Sequence, residues 1–433
     1  MIRLLFIFCF FFSAIYLKAQ TWSIKDCIEY ALKNNIDLKK NTIEQHIKKK
    51  DIEINKKERL PSVSASNSST FSFGQQQDVF GNNRRNDNLN SSTSISSEFT
   101  LFSHRLIDKN IKKSTYETEA SFYNGENLKQ QLSIKIIEHY LSILVNKEIE
   151  KINYNNMIYA KEIFEKVEKS QKVGVSSKKE LKESEAEFIK ENFNYTKAKL
   201  ETKRSIQQLT QTLQIEFSDK FEVIPINNEI DINLINNEEI FYKIIENNPS
   251  IEQSKVNINI EKINKEIIKT KQYPKLSLSA GVGTFYFNSF VNKSTSKSFF
   301  TQNVDNFTQQ LAFNLTIPIY NKGIIKTQLE QSDLNRQYAE DSYKLQVITV
   351  EQEIQNIFLN MELFYETYLA SKKLVESSKI AYEYGVISFE AGISTIYDLN
   401  ILRNNLKQAE SELIKAKYSY SFNQELLNVY LGK

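Results

Sequence analysis

Proline is placed so as to leave two very long stretches free of it. The five prolines fall at Pro61, Pro225, Pro249, Pro274 and Pro318, with none between 62 and 224 and none after 318. A proline in a helix interior costs about 3 kcal/mol. Stretches that avoid it altogether can carry helices far beyond the usual ~11–12 residues.

The prolines also repeat in context. RLPSVSAS (59–66) answers QYPKLSLS (272–279) at an offset of 213 (272 − 59), and ALKNNIDL (31–38) answers IIENNPSI (244–251) at the same offset. Further on, LFSHRL (101–106) answers IYNKGI (319–324), and VGVSSKKEL (173–181) answers AGISTIYDL (391–399), both at 218 (391 − 173). The chain reads as a duplication, with a first repeat over 20–214, a linker over 215–235 and a second repeat over 236–433.

Each repeat has the same order of elements. A helix is expected over about 22–58 and again over about 236–272, from apolar residues near helical spacing. Two alternating segments follow, about 62–73 and 94–102, then about 275–287 and 309–319. Leu276, Leu278, Ala280 and Val282 alternate with Ser277, Ser279, Gly281 and Gly283, while Leu311, Phe313, Leu315, Ile317 and Ile319 alternate with Ala312, Asn314 and Thr316. A period of two with one apolar and one small polar face means strands. Each has roughly the ten residues that cross a bilayer when tilted. A half-buried sheet in a water-soluble domain would show the same alternation. The connecting stretches 74–92 and 288–307, long and polar, fit the outer loops of a membrane barrel better. Four strands cannot close a barrel with an interior, and open edges do not survive in lipid, so several chains would have to share one barrel.

After each strand pair comes a long helix, about 105–172 and 322–390, each roughly 100 Å at ~1.5 Å per residue. Each returns through a shorter partner, about 176–214 and 395–430. The turns between them, Gly174-Val175-Ser176-Ser177 and Gly392-Ile393-Ser394-Thr395, offer a glycine for a left-handed residue and hydroxyls to cap the returning helix. A free-standing coiled-coil rod would use such hairpins too, though it needs no strands.

The first nineteen residues resemble a Sec signal peptide: Arg3, an apolar core from Leu4 to Tyr16, and Leu17-Lys18-Ala19 before Gln20. An N-terminal anchor helix is the alternative. The 56 Lys and Arg nearly balance the 53 Asp and Glu, which argues against a nucleic-acid partner. Of two cysteines, Cys9 leaves with the signal and Cys27 remains alone. His46, His104 and His139 lack metal-ligand spacing, so neither metal nor cofactor is expected. No phosphate-binding glycine loop, zinc-protease helix or nucleophile elbow occurs, so an enzyme is not expected.

The order of these parts resembles the TolC family of outer-membrane efflux proteins. The matching stretches are SIKDCIEYALKNNIDL (23–38), RLPSVSAS, YPKLSLSAGVG (273–283), LTIPIYNKG (315–323), EAGISTIYDLNIL (390–402) and KAKYSYSFNQELLNVYLG (415–432). The resemblance implies a mainly α chain with a β-barrel part: a homotrimer whose four strands per chain make one 12-stranded barrel in outer-membrane lipid, continuing into a periplasmic α-helical coiled-coil tunnel. It implies a duct for efflux or type I secretion, served by a periplasmic adaptor protein and an inner-membrane pump of RND or ABC type. A surface structural or adhesive protein with a barrel anchor is the alternative function. By the same resemblance Gly174, Val175, Ser176, Gly392, Ile393, Ser394 and Thr395 form the adaptor-docking tips, and Asp398 falls on the motif that rings the periplasmic gate. Glu180 is its repeat counterpart (398 − 218). First-turn carboxylates also stabilise a helix start with no further role. The family's second gate aspartate is here Ile401, and Ser394 stands where members carry an arginine that locks the closed state, so that lock differs here. Asn400 and Glu183 are the candidate compensating residues.

Overall fold

A computed structural model describes residues 21–77, 80–218, 221–226, 238–291 and 297–432. The signal-peptide reading of 1–19 lies outside these residues, as do 219–220 and 227–235 of the expected linker.

The first repeat runs β1 (Thr21–Trp22), α1 (Ile24–Asn34), α2 (Ile36–Lys57), β2 (Ser62–Ser72), β3 (Gln75–Gln77), β4 (Asn83–Arg85), β5 (Asn88–Phe102), α3 (Leu106–Lys172) and α4 (Lys178–Leu213). After β6 (Glu222–Val223) the second runs α5 (Glu238–Asn247), α6 (Pro249–Thr270), β7 (Lys275–Ser289), α7 (Phe299–Asp305), β8 (Thr308–Thr316), α8 (Ile324–Glu390) and α9 (Ile396–Tyr430). The duplication is visible in the lengths. α3 and α8 have 67 residues each, and their returning partners 36 and 35.

The expected single helices over 22–58 and 236–272 are each broken once. Asn35 is the residue between α1 and α2, with φ −56° and ψ 131°. Its side-chain oxygen accepts from the amides of Asp37 (2.8 Å) and Leu38 (3.2 Å), so it caps the second helix. Asn248 holds the same place between α5 and α6, and Pro249 fills the first helical position, where its missing N–H costs nothing. The strands also differ at their ends. β5 begins at Asn88 rather than near 94, because the polar stretch before it pairs with β7 as far as Ser289. β8 stops at Thr316 rather than 319, two residues before Pro318, which has no N–H to donate.

The described chain divides into two compact units, each drawing on both repeats. One unit comprises Met1–Lys40, Gly125–Pro249 and Val347–Lys433. Its core gathers Cys27, Ala31, Ile136, Ile137, Tyr140, Leu209, Leu213, Val223 and Tyr418. β1 and β6 pair in parallel beside it. The Tyr140 hydroxyl lies 2.9 Å from Trp22 O and 2.7 Å from Ile224 O, so one side chain ties the two strands to the helix below. Cys27 is free and buried.

The other unit comprises Asn41–Asn124 and Ser250–Gln346. It carries an antiparallel sheet in the order β2-β5-β7-β8 and the small hairpin β3-β4. The register places Leu278 opposite Phe99 and Phe313, and Val282 opposite Ile95, on one face. Ser279 pairs with Glu98 and Ala312, and Ser277 with Asn314, on the other. The sheet therefore has one apolar and one polar face, with large exposed side chains such as Phe313 (64 %) and Leu311 (64 %) on the apolar one. Among the described residues no helix is long and apolar enough to cross a membrane.

Candidate functional site: the two hairpin turns

Both turns belong to the first unit, and they are built alike. At the first, the Gly174 amide donates to Gln171 O (3.0 Å) and the Val175 amide to Ser170 O (2.9 Å). At the second, Gly392 donates to Phe389 O (3.0 Å) and Ile393 to Ser388 O (2.9 Å). These are the paired bonds of a helix ended by a left-handed residue. The glycines supply it with φ of 80° and 73°. A Cβ added at either would meet nothing within 4 Å, so backbone conformation rather than crowding demands glycine.

The returning helices begin with matched capping boxes. Ser177 Oγ accepts from the Glu180 amide (3.1 Å), and Glu180 Oε2 accepts from the Ser177 amide (2.8 Å). Thr395 Oγ1 accepts from the Asp398 amide (3.2 Å), while Asp398 Oδ2 accepts from the Thr395 amide (3.0 Å) and hydroxyl (2.6 Å). The bonds from the Thr395 hydroxyl and then its amide hold the Asp398 carboxyl below the usual carboxylate range. Of the two hydroxyls expected to cap α9, Thr395 does so. The Ser394 Oγ is buried and has no hydrogen-bond partner in the chain. Glu183 pairs with Lys179 one turn away, at 3.7 Å.

The two turns face each other across a groove of about 450 Å³. Val175, Ser176 and Glu180 line it from one side and Gly392, Ile393, Ser394 and Thr395 from the other. Gly174 and Asp398 stand outside it. Lys166 on α3 and Glu390 on α8 bridge its rim at 3.3 Å. Val175 and Ile393 are 80 % and 81 % exposed, so the tips present apolar side chains to their surroundings.

Away from the turns α9 is joined to α3 and α4 by charges that periodicity alone did not single out. Arg403 on α9 is buried; its Nε donates to Asn156 Oδ1 (2.8 Å), a second guanidinium nitrogen donates to Asn156 O, and its Cζ lies 4.6 Å from the Tyr159 ring centroid. Burial pushes its pKa down from the ordinary arginine value. Lys407 Nζ reaches Glu191 Oε2 on α4 at 2.8 Å, and Glu191 is 1 % exposed. The signal was present: Arg403 follows buried Leu399 by four residues, which puts a charge on the apolar face of α9. Among the described residues no group of three or more His, Cys, Asp or Glu could hold a metal ion.

Residues 240–433 match the family model described as Outer membrane efflux protein. Outer membrane protein TolC of Escherichia coli (strain K12) is 26 % identical over 162 residues, 37 % of this chain and 32 % of that protein. The alignment thus spans about a third of the curated relative's length. In structure the chain is similar to the CmeC outer membrane channel of Campylobacter jejuni, with a TM-score of 0.81 at 20 % identity, covering 94 % of this chain and 85 % of that one. It is also similar to CusC, with a TM-score of 0.79 at 15 % identity and coverages of 94 % and 91 %. The second half of the chain thus matches outer-membrane efflux proteins in sequence, and the chain as a whole has the fold of these outer-membrane channels.

Proposed function

We propose that this chain is one protomer of a trimeric outer-membrane duct, a conduit rather than an enzyme, that passes substrates from a periplasmic pump assembly to the exterior. The observation that carries this reading is the sheet. It has four antiparallel strands with an apolar and a polar face, and among the described residues β2 and β8 each pair on one side only. Exposed edges cannot stand in lipid, so other copies must cover them, and three copies give twelve strands. The helices support the same assembly. On α8, Tyr338, Leu345, Leu359, Ile380 and Ile387 are exposed at multiples of seven residues. That is the seam of a helix awaiting coiled-coil neighbours, and it fits a tunnel of packed hairpins in the periplasm.

The turn residues Gly174, Val175, Ser176, Gly392, Ile393, Ser394 and Thr395 are the docking tips for a periplasmic adaptor, which couples the duct to an inner-membrane pump of RND or ABC type. Exposed Val175 and Ile393 are the apolar contacts such a partner would cover. Asp398 and Glu180 line the periplasmic entrance, each held at a helix N-terminus by its own cap. Crosslinking of the detergent-solubilised protein should give trimers, and the reconstituted trimer should conduct ions. A well-behaved water-soluble monomer without conductance would overturn the reading.

A further inference from the structure

The apolar face of the sheet is not apolar along its whole height. Cross-strand rows can be followed upward from the end that joins the helices. The lower rows are Leu276 with Leu315, Leu278 with Phe99 and Phe313, Ala280 with Leu311, and Val282 with Ile95 and Ala65 in turn. The next two rows on the same face are polar. Thr284 stands beside Thr93 and Asn67, then Tyr286 beside Ser91 and Ser69. These groups bond one another: Asn67 Nδ2 donates to Thr93 Oγ1 at 2.7 Å, and the Ser69 and Ser91 hydroxyls lie 2.9 Å apart. Above them the face turns aromatic, with Phe71 and Phe73 each stacked with Phe290, at 6.5 and 6.3 Å.

A second observation changes at the same height. The four-stranded ladder ends where Gly283 pairs with Thr308, so β7 runs on from Thr284 to Ser289 without β8. The short helix α7 takes the missing strand's place, and it meets β7 through polar side chains although Phe300 and Val304 on it are exposed. Gln302 of α7 accepts from the Phe287 amide (3.0 Å) and donates to its carbonyl (2.9 Å), and Asn306 donates to Phe285 O (2.8 Å). Side-chain amides in place of a strand are a poor way to close a sheet edge in hydrocarbon and an ordinary one in a hydrated layer.

Length gives a third. β5 and β7 have 15 residues each, and β8 has nine. At ~3.4 Å per residue and a tilt of about 40°, fifteen residues rise roughly 39 Å, well beyond the ~25 Å apolar band of such barrels. The eight residues from Leu276 to Gly283 rise roughly 21 Å on the same terms, close to that band.

We infer that the hydrocarbon layer ends at the row of Asn67, Thr93 and Thr284, where the fourth strand also ends, and that the rest of β2, β5 and β7 stands as a three-stranded collar in the lipid headgroup layer. The inference rests on the barrel reading and adds to it where the bilayer stops. Above the boundary the collar offers hydroxyls, amides and a phenylalanine stack to headgroups; below it the face offers only aliphatic and aromatic side chains apart from Ser97 and Gln309.

The test uses the full-length trimer in phospholipid vesicles, with single nitroxide labels at Ala65→Cys and Phe313→Cys below the boundary and at Ser69→Cys and Ser91→Cys above it. Buried Cys27 stays unlabelled. Collision rates with oxygen, which partitions into hydrocarbon, are compared with those of a neutral nickel chelate, which stays in water. The oxygen-to-nickel ratio should fall several-fold between positions 65 and 69. Oxygen-dominated collisions at all four positions would overturn the boundary and leave the barrel standing. Nickel-dominated collisions at 65 and 313 would remove the barrel reading itself, and the boundary with it.

Discussion

The Glu191–Lys407 pair offers the sharpest test of how the helices are held together. Glu191 is 1 % exposed, its Oε2 is 2.8 Å from Lys407 Nζ, and its Oε1 accepts from Asn194 Nδ2 at 3.1 Å. The two partners are not equally trapped. The Lys407 side chain is 19 % exposed against 2 % for Glu191, so the ammonium can reach water along its flexible stem while the carboxylate cannot. Lys407→Met leaves a buried carboxylate without its counter-ion and should cost about 3–5 kcal/mol. Glu191→Gln keeps the bond to Asn194, removes the buried charge and lets Lys407 turn outward, so it should cost only about 1–2 kcal/mol. Once Glu191 is neutral, adding Lys407→Met should cost little more. The double variant should then lie within about 1 kcal/mol of Glu191→Gln and far from the sum of the singles. Urea unfolding of the trimer at fixed protein concentration, followed by far-ultraviolet circular dichroism, gives the four values of the cycle. Additive losses, or a Glu191→Gln cost as large as that of Lys407→Met, would refute the argument.

Three further outcomes follow from the sheet and the turns. Leu278→Arg and Phe313→Arg put charge on the apolar face, where Arg costs about 2–4 kcal/mol near mid-membrane; outer-membrane insertion should drop for both and stay near normal for Ser279→Arg and Asn314→Arg. Gly174→Trp and Gly392→Trp force a β-carbon into positive φ at the two exposed turns. Adaptor crosslinking and export should fall while trimers still insert, and unchanged export by the double variant would leave the glycines as helix terminators only. Asp398→Asn should reduce the cation selectivity of single channels at low salt, with Glu180→Gln adding to it; selectivity untouched by the pair would place the constriction elsewhere.

Much of this fold was legible in the sequence because its strongest signals are long-range and repeated. The proline-free stretches together with the strand and turn motifs placed the two long helices to within two residues at each end. Period-two alternation located all four long strands. What stayed hidden was local. Asn35 sits inside a continuous helical pattern, and only its side-chain oxygen, turned onto two amides, reveals the break, whereas at Asn248 the proline that follows was a stop signal that the single-helix expectation passed over. Glu191 was hidden for a different reason. A charge among many charges in a Lys/Glu-rich helix looks solvated until its neighbours are known, and those come from helices far away in sequence. The turns were the converse case, where three residue types at fixed spacing specify both the stop and the restart.

The capping boxes and the gate reading of Asp398 are compatible, and together they make a prediction about pH. One carboxylate oxygen, Oδ2, is occupied by the Thr395 amide and hydroxyl. Oδ1 remains to present charge to a lumen. The bonds that cap the helix favour the ionised form, which is why the Asp398 pKa lies below its ordinary 3.8. A depressed carboxylate contributes its stabilisation above the unfolded pKa and loses it as pH falls through the folded one. The cap and the ring charge should therefore persist together through mildly acidic conditions and fail together only in strong acid. Thr395→Val removes the hydroxyl and separates the two roles. The carboxyl remains at the entrance but loses its main stabilising bond, so cation selectivity should start to decline at a higher pH than in the parent. Selectivity measured from pH 7 downward in planar bilayers reads this directly. A decline at the same pH in both proteins would mean that the Thr395 bond does not set the charge state of the entrance.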